Sequence, residues 1–327
     1  MKIKVTAPGS LMLMGEHAVL FGHRALACAV DKRISVTLTT RTDRLVNIDS
    51  ALAQYRGSLD ALTAEPALSF VLTAIERQLP RLTQGFDLRI RSEFSHTVGL
   101  GSSAAVTAAA VAALQALISG ADRDYDPQSL FEEALAVVHQ VQDGRGSGTD
   151  LVAAVYGGVV GYTVARAGAV PQVHRLQGIP AISLFYVGYK MKTPDVLKRV
   201  EGFAAQSPEL YASLYQLMGQ TTEQAEQAVD SADWPQLGRL MNIYQGLMDA
   251  LGVNDAYLAE IIYSLRSSPD VLGAKISGSG LGDCVLALGH PAQLPLSYKR
   301  SYEGADEQYY EQIPVAVSAK GVTVEYV

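Results

Sequence analysis

The stretch of this sequence best suited to chemistry is a turn of glycine and serine at 99–103, followed by an alanine-rich segment that predicts a helix over 102–118. Backbone N–H groups at the start of a helix have no partner within it and point outward with the positive end of the helix dipole. A phosphate can bind there, beside hydroxyls that suit it or a metal ion. A plain strand-to-helix connection with serine as N-cap is the alternative. The residues predicted to contact a nucleotide phosphate are Gly99, Leu100, Gly101, Ser102, Ser103 and Ala104.

A second loop places an acid and an imidazole among glycines. We predict that Pro8 and Gly9 end the first strand and that Gly15 permits a close approach of backbone, so that Glu16 and His17 stand beside a tight turn. An ordinary surface dipeptide is the alternative interpretation.

Two more glycine-rich loops follow. Asp150 comes after the glycines of 144–148 and opens an apolar helical stretch, where it could be a first-turn acid that favours the helix dipole or a catalytic base. The loop 277–283 joins two predicted strands and could be a flexible hairpin only. Neither a P-loop nor a dinucleotide-binding fingerprint is present in the sequence.

The amino-acid composition argues against some classes of function. The chain has 327 residues, 48% hydrophobic and 18% charged, with a formal net charge of -7, which fits one large or two ordinary domains. The acidic balance argues against nucleic acid or an anionic membrane as partner. Cys28 and Cys284 read as reduced, buried thiols, and no signal peptide or long apolar run is found. We expect a cytoplasmic small-molecule enzyme, with a homodimer left open.

The segments that must position these loops include strands, with apolar residues at every second position, and helices, with a period of about 3.6 residues. Their order along the chain predicts the fold class α+β rather than a regular βαβ repeat. A Gly/Pro/Ala-containing connection over 165–172 suggests a boundary near 170, giving domains 1–170 and 171–327. Predicted strands are 3–7, 34–41, 86–91, 158–164, 181–187, 273–276, 284–288 and a closing set near 313–326; predicted helices are 66–79, 102–118, 127–142, 208–230, 233–250 and 255–267.

The segments 7–19, 99–105, 147–150 and 275–284, in this order, resemble the motif regions of the galactokinase, homoserine kinase, mevalonate kinase and phosphomevalonate kinase (GHMP) superfamily. Each motif is weak alone, but four in order across nearly the whole chain are specific. The resemblance implies a two-domain fold, with an ATP-binding N-terminal domain like ribosomal protein S5 domain 2 and a ferredoxin-like C-terminal domain. ATP, Mg²⁺ and a small alcohol would meet in the cleft.

The resemblance also implies roles for individual residues. Asp150 would be the base for the substrate hydroxyl, across the cleft from the phosphate-binding turn at 99–103. Ser103 and Glu16 would face the magnesium ion. Thr193, which we also predict as a helix N-cap, would lie near the reacting alcohol. The implied substrate-binding residues are Glu16, His17, Ser147, Gly148, Thr193, Gly278, Ser279 and Gly280.

Two positions depart from the mevalonate kinase pattern. Ser10 stands where these enzymes usually carry a lysine beside the catalytic aspartate, and we hypothesise that Arg145, Lys190 or Lys192 supplies the missing charge to the catalytic set of Asp150 and Ser10. His139 stands where they usually carry a magnesium-binding glutamate, and neutral imidazole is a poor ligand for this hard cation.

Within the superfamily the motifs are most similar to mevalonate kinase, so the resemblance favours phosphorylation of mevalonate at its 5-hydroxyl in isoprenoid biosynthesis. Phosphomevalonate kinase is an alternative, favoured by His139 and the segment 146–157. A galactokinase-like sugar kinase is another. A decarboxylase of the same fold ranks lower because that enzyme lacks the Gly-Glu-His motif present at 15–17. A nucleotide-binding protein with weakened catalysis also ranks lower, because Asp150 and the glycine loops are all retained.

Overall fold

The computed structural model describes residues 1–95, 98–120, 126–164, 172–292 and 310–327, whose strands form two sheets. The strands are β1 (Lys2–Met14), β2 (Ala25–Thr40), β3 (Leu45–Asp49), β4 (Gln54–Ser58), β5 (Phe86–Ser92), β6 (Val159–Thr163), β7 (Gln172–Leu176), β8 (Ile182–Lys190), β9 (Val271–Ser277), β10 (Gly282–Gly289), β11 (Glu311–Ile313) and β12 (Thr323–Tyr326). The larger sheet has the order β12-β1-β2-β5-β3-β4, with β6 paired to β2 and β7 to β6, and the smaller has the order β11-β8-β10-β9.

The described helices divide between the two sheets. Four share a core with the larger sheet, namely α1 (Ser69–Gln78), α2 (Ser102–Ser119), α3 (Pro127–Val141) and α4 (Thr149–Tyr156), with α2 and α4 on its strands and α1 and α3 against those helices. The other four belong to the smaller sheet and its core, namely α5 (Thr193–Gln206), α6 (Pro208–Asp230), α7 (Trp234–Ala250) and α8 (Ala256–Arg266).

Helix α2 carries the predicted phosphate-binding turn at its N-terminus. Its alanines are buried against β1, β2 and the neighbouring helices, because small side chains let a helix approach a sheet closely. Among the described helices α2 is the one long and apolar enough to cross a membrane by length and composition alone. Its burial in the core accounts for that apolar character.

The predicted end of the first strand at Pro8 and Gly9 is wrong. β1 continues to Met14 through a shift of register against β2 between Pro8 and Ser10. A proline lacks the N–H that a ladder needs, and such a break in register accommodates it. Gly9 faces the turn, since a Cβ there would lie 2.9 Å from the Leu100 carbonyl oxygen. Because the strand continues past Gly9, Ser10 lies next to the predicted phosphate site.

The six predicted helices are confirmed, with 66–79 beginning as a short 3₁₀ turn at Pro66–Leu68. The predicted strands are also present, but β2 begins at Ala25 rather than near 34, and β3, β4 and β7 were not predicted. The proposed boundary near 170 lies outside the described residues. β7 and β12 both pair within the larger sheet, although both follow that point in the chain.

Candidate active site

Asp150 and the glycine turn lie side by side. Gly148, with a φ of 82°, precedes α4 and places Asp150 in the first turn of that helix. The Ser10 hydroxyl donates a hydrogen bond of 2.8 Å to Oδ1 of Asp150, while the Ser10 N–H donates to the Leu100 carbonyl at 3.0 Å. Gly101 touches both, since a Cβ there would collide with Ser10 Oγ and lie 3.4 Å from the Cβ of Asp150. The structure therefore brings the carboxylate to the start of α2.

The environment of Asp150 adjusts its basicity. Burial raises the pKa of Asp150 above its usual value, the Ser10 hydrogen bond and the charge of Lys190 lower it, and the nearby charge of Asp283 raises it. A carboxylate whose pKa is raised toward neutrality accepts a proton more readily while remaining ionised over part of the working pH range. Asp150 thus has the surroundings of a general base.

Asp283, at the start of β10, is a site residue that sequence reasoning missed. Its carboxylate forms an ion pair with Lys190 at 2.5 Å, and its side chain is 6% exposed. It also lies against the turn at 99–103, because a Cβ at Gly99 would collide with it. The signal in the sequence was a single acidic residue at the end of the glycine loop 277–283.

Glu16 lies beneath the site in a second ion pair. Its Oε1 accepts a hydrogen bond from Nζ of Lys275 at 2.5 Å, and the backbone carbonyl of Glu16 accepts one from Tyr244 Oη at 2.8 Å. Burial raises the pKa of Glu16 and lowers that of Lys275, and each charge opposes the shift of the other. Lys275, fully buried, was not singled out from the sequence.

The glycine loop after β9 closes over the first motif. His17 Nε2 donates to the carbonyl of Ser279 at 2.9 Å, and burial lowers the pKa of His17, so the neutral imidazole is favoured. Gly280 fits closely against Val253, where a Cβ would strike the carbonyl oxygen. Thr193 Oγ1 and Ser279 Oγ lie 3.5 Å apart. The structure thus assembles four of the predicted substrate-binding residues: His17, Thr193, Ser279 and Gly280.

The chain matches two family models, the GHMP kinases N terminal domain over residues 67–158 and the GHMP kinases C terminal over residues 225–301. The mevalonate kinase of Thermococcus onnurineus is 30% identical over 88% of this chain and 89% of its own. The chain belongs to the GHMP kinase family. It is therefore an ATP-dependent phosphotransferase.

Solved structures agree with the fold of this GHMP kinase. A protein from Listeria innocua superposes with a TM-score of 0.83 at 20% identity and covers 99% of each chain. The phosphomevalonate kinase of Streptococcus pneumoniae, in complex with phosphomevalonate and AMPPNP, superposes with a TM-score of 0.75 at 19% identity over 89% of this chain and 93% of that one. The mixed α/β fold with two sheets is shared by these proteins.

Two of the predicted catalytic residues, Arg145 and Lys192, lie outside the cluster around Asp150. Arg145 and Lys192 are exposed, and neither side chain has an ion pair with another described residue, so the structure does not bring either cation to Asp150. The prediction of Thr193 as N-cap is wrong: Lys192 occupies that position and Thr193 is the first helical residue. Proline at the second position supports this helix start in place of a hydroxyl cap.

His139 and Ser147 support the loop before Asp150. His139 Nε2 donates to the Gly146 carbonyl at 2.9 Å, and Tyr162 Oη donates to the Ser147 carbonyl at 2.9 Å. Gly148 is packed closely, since a Cβ there would lie 2.9 Å from Leu135. A substrate contact for Ser147 and Gly148 stays a prediction, while their contacts in the structure hold the loop in place.

The predicted magnesium ligands fit the ion unequally. Glu16 is 3% exposed and its Oε1 is engaged by Lys275, which does not suit a ligand of an ion arriving with the nucleotide. Ser103, in the first turn of α2, offers a hydroxyl oxygen of the kind that Mg²⁺ accepts. Among the described residues no group of three or more His, Cys, Asp and Glu side chains is arranged to hold a metal.

Proposed function

We propose that this GHMP kinase transfers the terminal phosphoryl group of ATP to the 5-hydroxyl of mevalonate. The observation that carries the proposal is the partly buried carboxylate of Asp150, held by Ser10 directly beside the glycine turn at the start of α2. The near full-length similarity to a mevalonate kinase supports this choice of acceptor. Free, buried Cys28 and Cys284 suit a reducing compartment, and we place the activity in the cytoplasm.

Phosphoryl transfer asks a protein for positioning and charge neutralisation more than for covalent chemistry. The unpaired N–H groups at the start of α2 would bind the ATP phosphates, with the φ of 62° at Gly101 turning the backbone toward them. Asp150 would accept a hydrogen bond from the alcohol and take its proton as the alcohol oxygen bonds to the terminal phosphorus and the bond from that phosphorus to the departing ADP breaks. Magnesium, when bound with ATP near Ser103, would neutralise phosphate charge.

Ser10 restricts the orientation of the base. Its hydroxyl occupies Oδ1 of Asp150, so the second carboxylate oxygen is left to face the acceptor. The acceptor itself would lie between Asp150 and the loop 277–282, where Thr193 and Ser279 supply hydroxyl groups. A polar, hydroxylated acceptor with a carboxylate matches these donors better than an apolar alcohol.

The acceptor is tested by direct assay of the purified protein. ADP release with ATP and Mg²⁺ is measured with mevalonate, phosphomevalonate, galactose or no acceptor, and ³¹P NMR identifies the product. We expect a new phosphomonoester with mevalonate alone. A diphosphate product with phosphomevalonate, or a sugar phosphate with galactose, would replace the proposed acceptor while leaving the kinase assignment intact.

Asp150→Asn is the corresponding test of the base. We expect the turnover number to fall by about 100- to 10,000-fold, the range for loss of a general base, with ATP affinity retained. Asp143→Asn is the matched control, because Asp143 is exposed in the preceding loop and its φ of 51° suits asparagine. Equal activity of the two variants would remove Asp150 from the mechanism.

A further inference from the structure

One cation lies near the proposed base through its contact with Asp283. Lys190 lies at the end of β8, and among the described residues its positive charge lowers the pKa of Asp150 while the negative charge of Asp283 raises it. The Lys190 ammonium contacts Asp283 at 2.5 Å and its side chain is 34% exposed, so it is open to a ligand on one side. Asp283 in turn lies against Gly99 of the phosphate-binding turn. Lys190 thus lies close to both the predicted phosphate site at 99–103 and the proposed base Asp150.

The backbone keeps Lys190 in this position. It pairs with Gly282 in the ladder between β8 and β10, and the N–H of Met191 donates to the Leu281 carbonyl at 3.1 Å. Gly282 has a φ of 113°, and a Cβ there would lie 2.9 Å from the Cα of Lys190. Only glycine allows this approach without strain, so the glycine loop and the lysine are fixed to each other.

We propose that Lys190, positioned by Asp283, is the cationic catalytic residue of this site, where it stabilises the ionised Asp150 and the negative charge on the transferred phosphoryl group. The proposal rests on the function proposed above and adds a residue to it. Asp283 is a positioning residue: its carboxylate orients the ammonium group toward the turn at 99–103. Electrostatic groups fixed before the reaction stabilise developing charge most effectively, because they need no reorganisation.

The test uses two substitutions that should shift the pKa of Asp150 in opposite directions. Lys190→Met removes an attractive charge, so the pKa of Asp150 should rise; Asp283→Asn removes a repulsive charge, so it should fall. Protein labelled with ¹³C at the aspartate carboxyl carbons reports this by NMR titration, with Asp150→Asn identifying the resonance. Lys198→Met, on the exposed face of α5, is the matched loss of a positive charge and should leave the resonance unmoved.

Kinetics provide the second readout. Lys190→Met should lower kcat by about 100-fold or more, typical of losing one transition-state donor, and move the acid limb of the kcat profile to higher pH. Lys190→Arg should recover part of the loss because it retains the charge. Asp283→Asn should lower kcat less and move the acid limb to lower pH.

The outcomes separate the two proposals. If Lys190→Met matches Lys198→Met in both the Asp150 titration and kcat, the role of Lys190 is overturned. If Lys190→Met and Asp283→Asn shift the Asp150 titration in the same direction, the effect is structural and the proposal again fails. Wild-type protein that phosphorylates no mevalonate, yet shows opposite shifts, contradicts the proposed acceptor and leaves the position of Lys190 supported.

Discussion

Two lysine–carboxylate pairs with the same 2.5 Å separation occupy this kinase, and their surroundings differ sharply. The side chains of Lys275 and Glu16 are 0% and 2% exposed, whereas that of Lys190 is 34% exposed. The Lys275 ammonium group contacts Glu16, and the Tyr244 ring lies 5.4 Å from it. Lys190 is open to solvent on one side, while its partner Asp283 lies against Gly99. Equal distances therefore occur in different surroundings: one pair is enclosed in the core, and the other is accessible at its lysine.

The buried pair joins distant parts of the chain. Glu16 follows β1 of the larger sheet, and Lys275 belongs to β9 of the smaller one. Taking two charges out of water is costly, and their attraction offsets that cost only when both are present. The pair consequently favours the arrangement of the two sheets in which the loop 277–282 covers the first motif.

The largest expected effect tests this division directly. Lys275→Met should lower the free energy of unfolding by about 3–5 kcal/mol, because it leaves Glu16 charged and buried without its partner. Lys190→Met should lower that free energy by less, because the Lys190 end of its pair is 34% exposed and solvent screening weakens the attraction that is lost. Urea denaturation followed by circular dichroism compares the two variants. Similar losses from both would abolish the contrast between the pairs.

A double substitution refines the same comparison. Glu16→Leu combined with Lys275→Met should be more stable than Lys275→Met alone by about 3 kcal/mol, since no unpaired charge remains in the core. A double-mutant cycle from the denaturation curves gives the coupling energy. Strictly additive losses would mean that the two groups are not a coupled pair.

The smallest expected effect concerns pH and His17, which follows Glu16 on the buried side. Burial lowers the pKa of His17 in the folded state, so the unfolded chain binds the proton more tightly. The stability contributed by the neutral imidazole is present above the unfolded pKa of about 6.5 and is lost as pH falls through the folded value. His17→Gln should therefore flatten the decline in unfolding free energy below pH 6.5, by at most about 1.4 kcal/mol per pH unit. An unchanged slope would mean that other groups cause the decline.

Local signals predicted much of the fold, and the family resemblance predicted that the loops meet. The alanine-rich run after Ser103, the apolar periodicity over 127–142 and the leucine-rich 233–250 each specify a helix without help from distant residues. The glycines around Asp150 likewise indicated a tight turn before a helix, and Gly148 adopts the left-handed conformation there. Each of these features is encoded within a few neighbouring residues.

What escaped prediction depends on contacts far apart in sequence. Lys275 lies in a short apolar strand whose pattern gives no hint of Glu16, 259 residues away. The pairing of Asp283 with Lys190 arises only when β10 aligns with β8. Pro8 and Gly9 carry the signal for a strand end, but the pairing of β1 with β2 on both sides of the shifted register extends the strand past them. Tertiary pairing overrides local preference at all three places.

The position of β12 beside β1 has a consequence for biosynthesis. β1 lies near the beginning of the chain, yet its partner on that side, Thr323–Tyr326, leaves the ribosome some 300 residues later. Until then the backbone groups along this edge of β1 have no strand to bond, and such edges invite pairing with other chains. The nascent protein must therefore protect an open sheet margin throughout translation, and slow synthesis or truncation near residue 320 should promote aggregation.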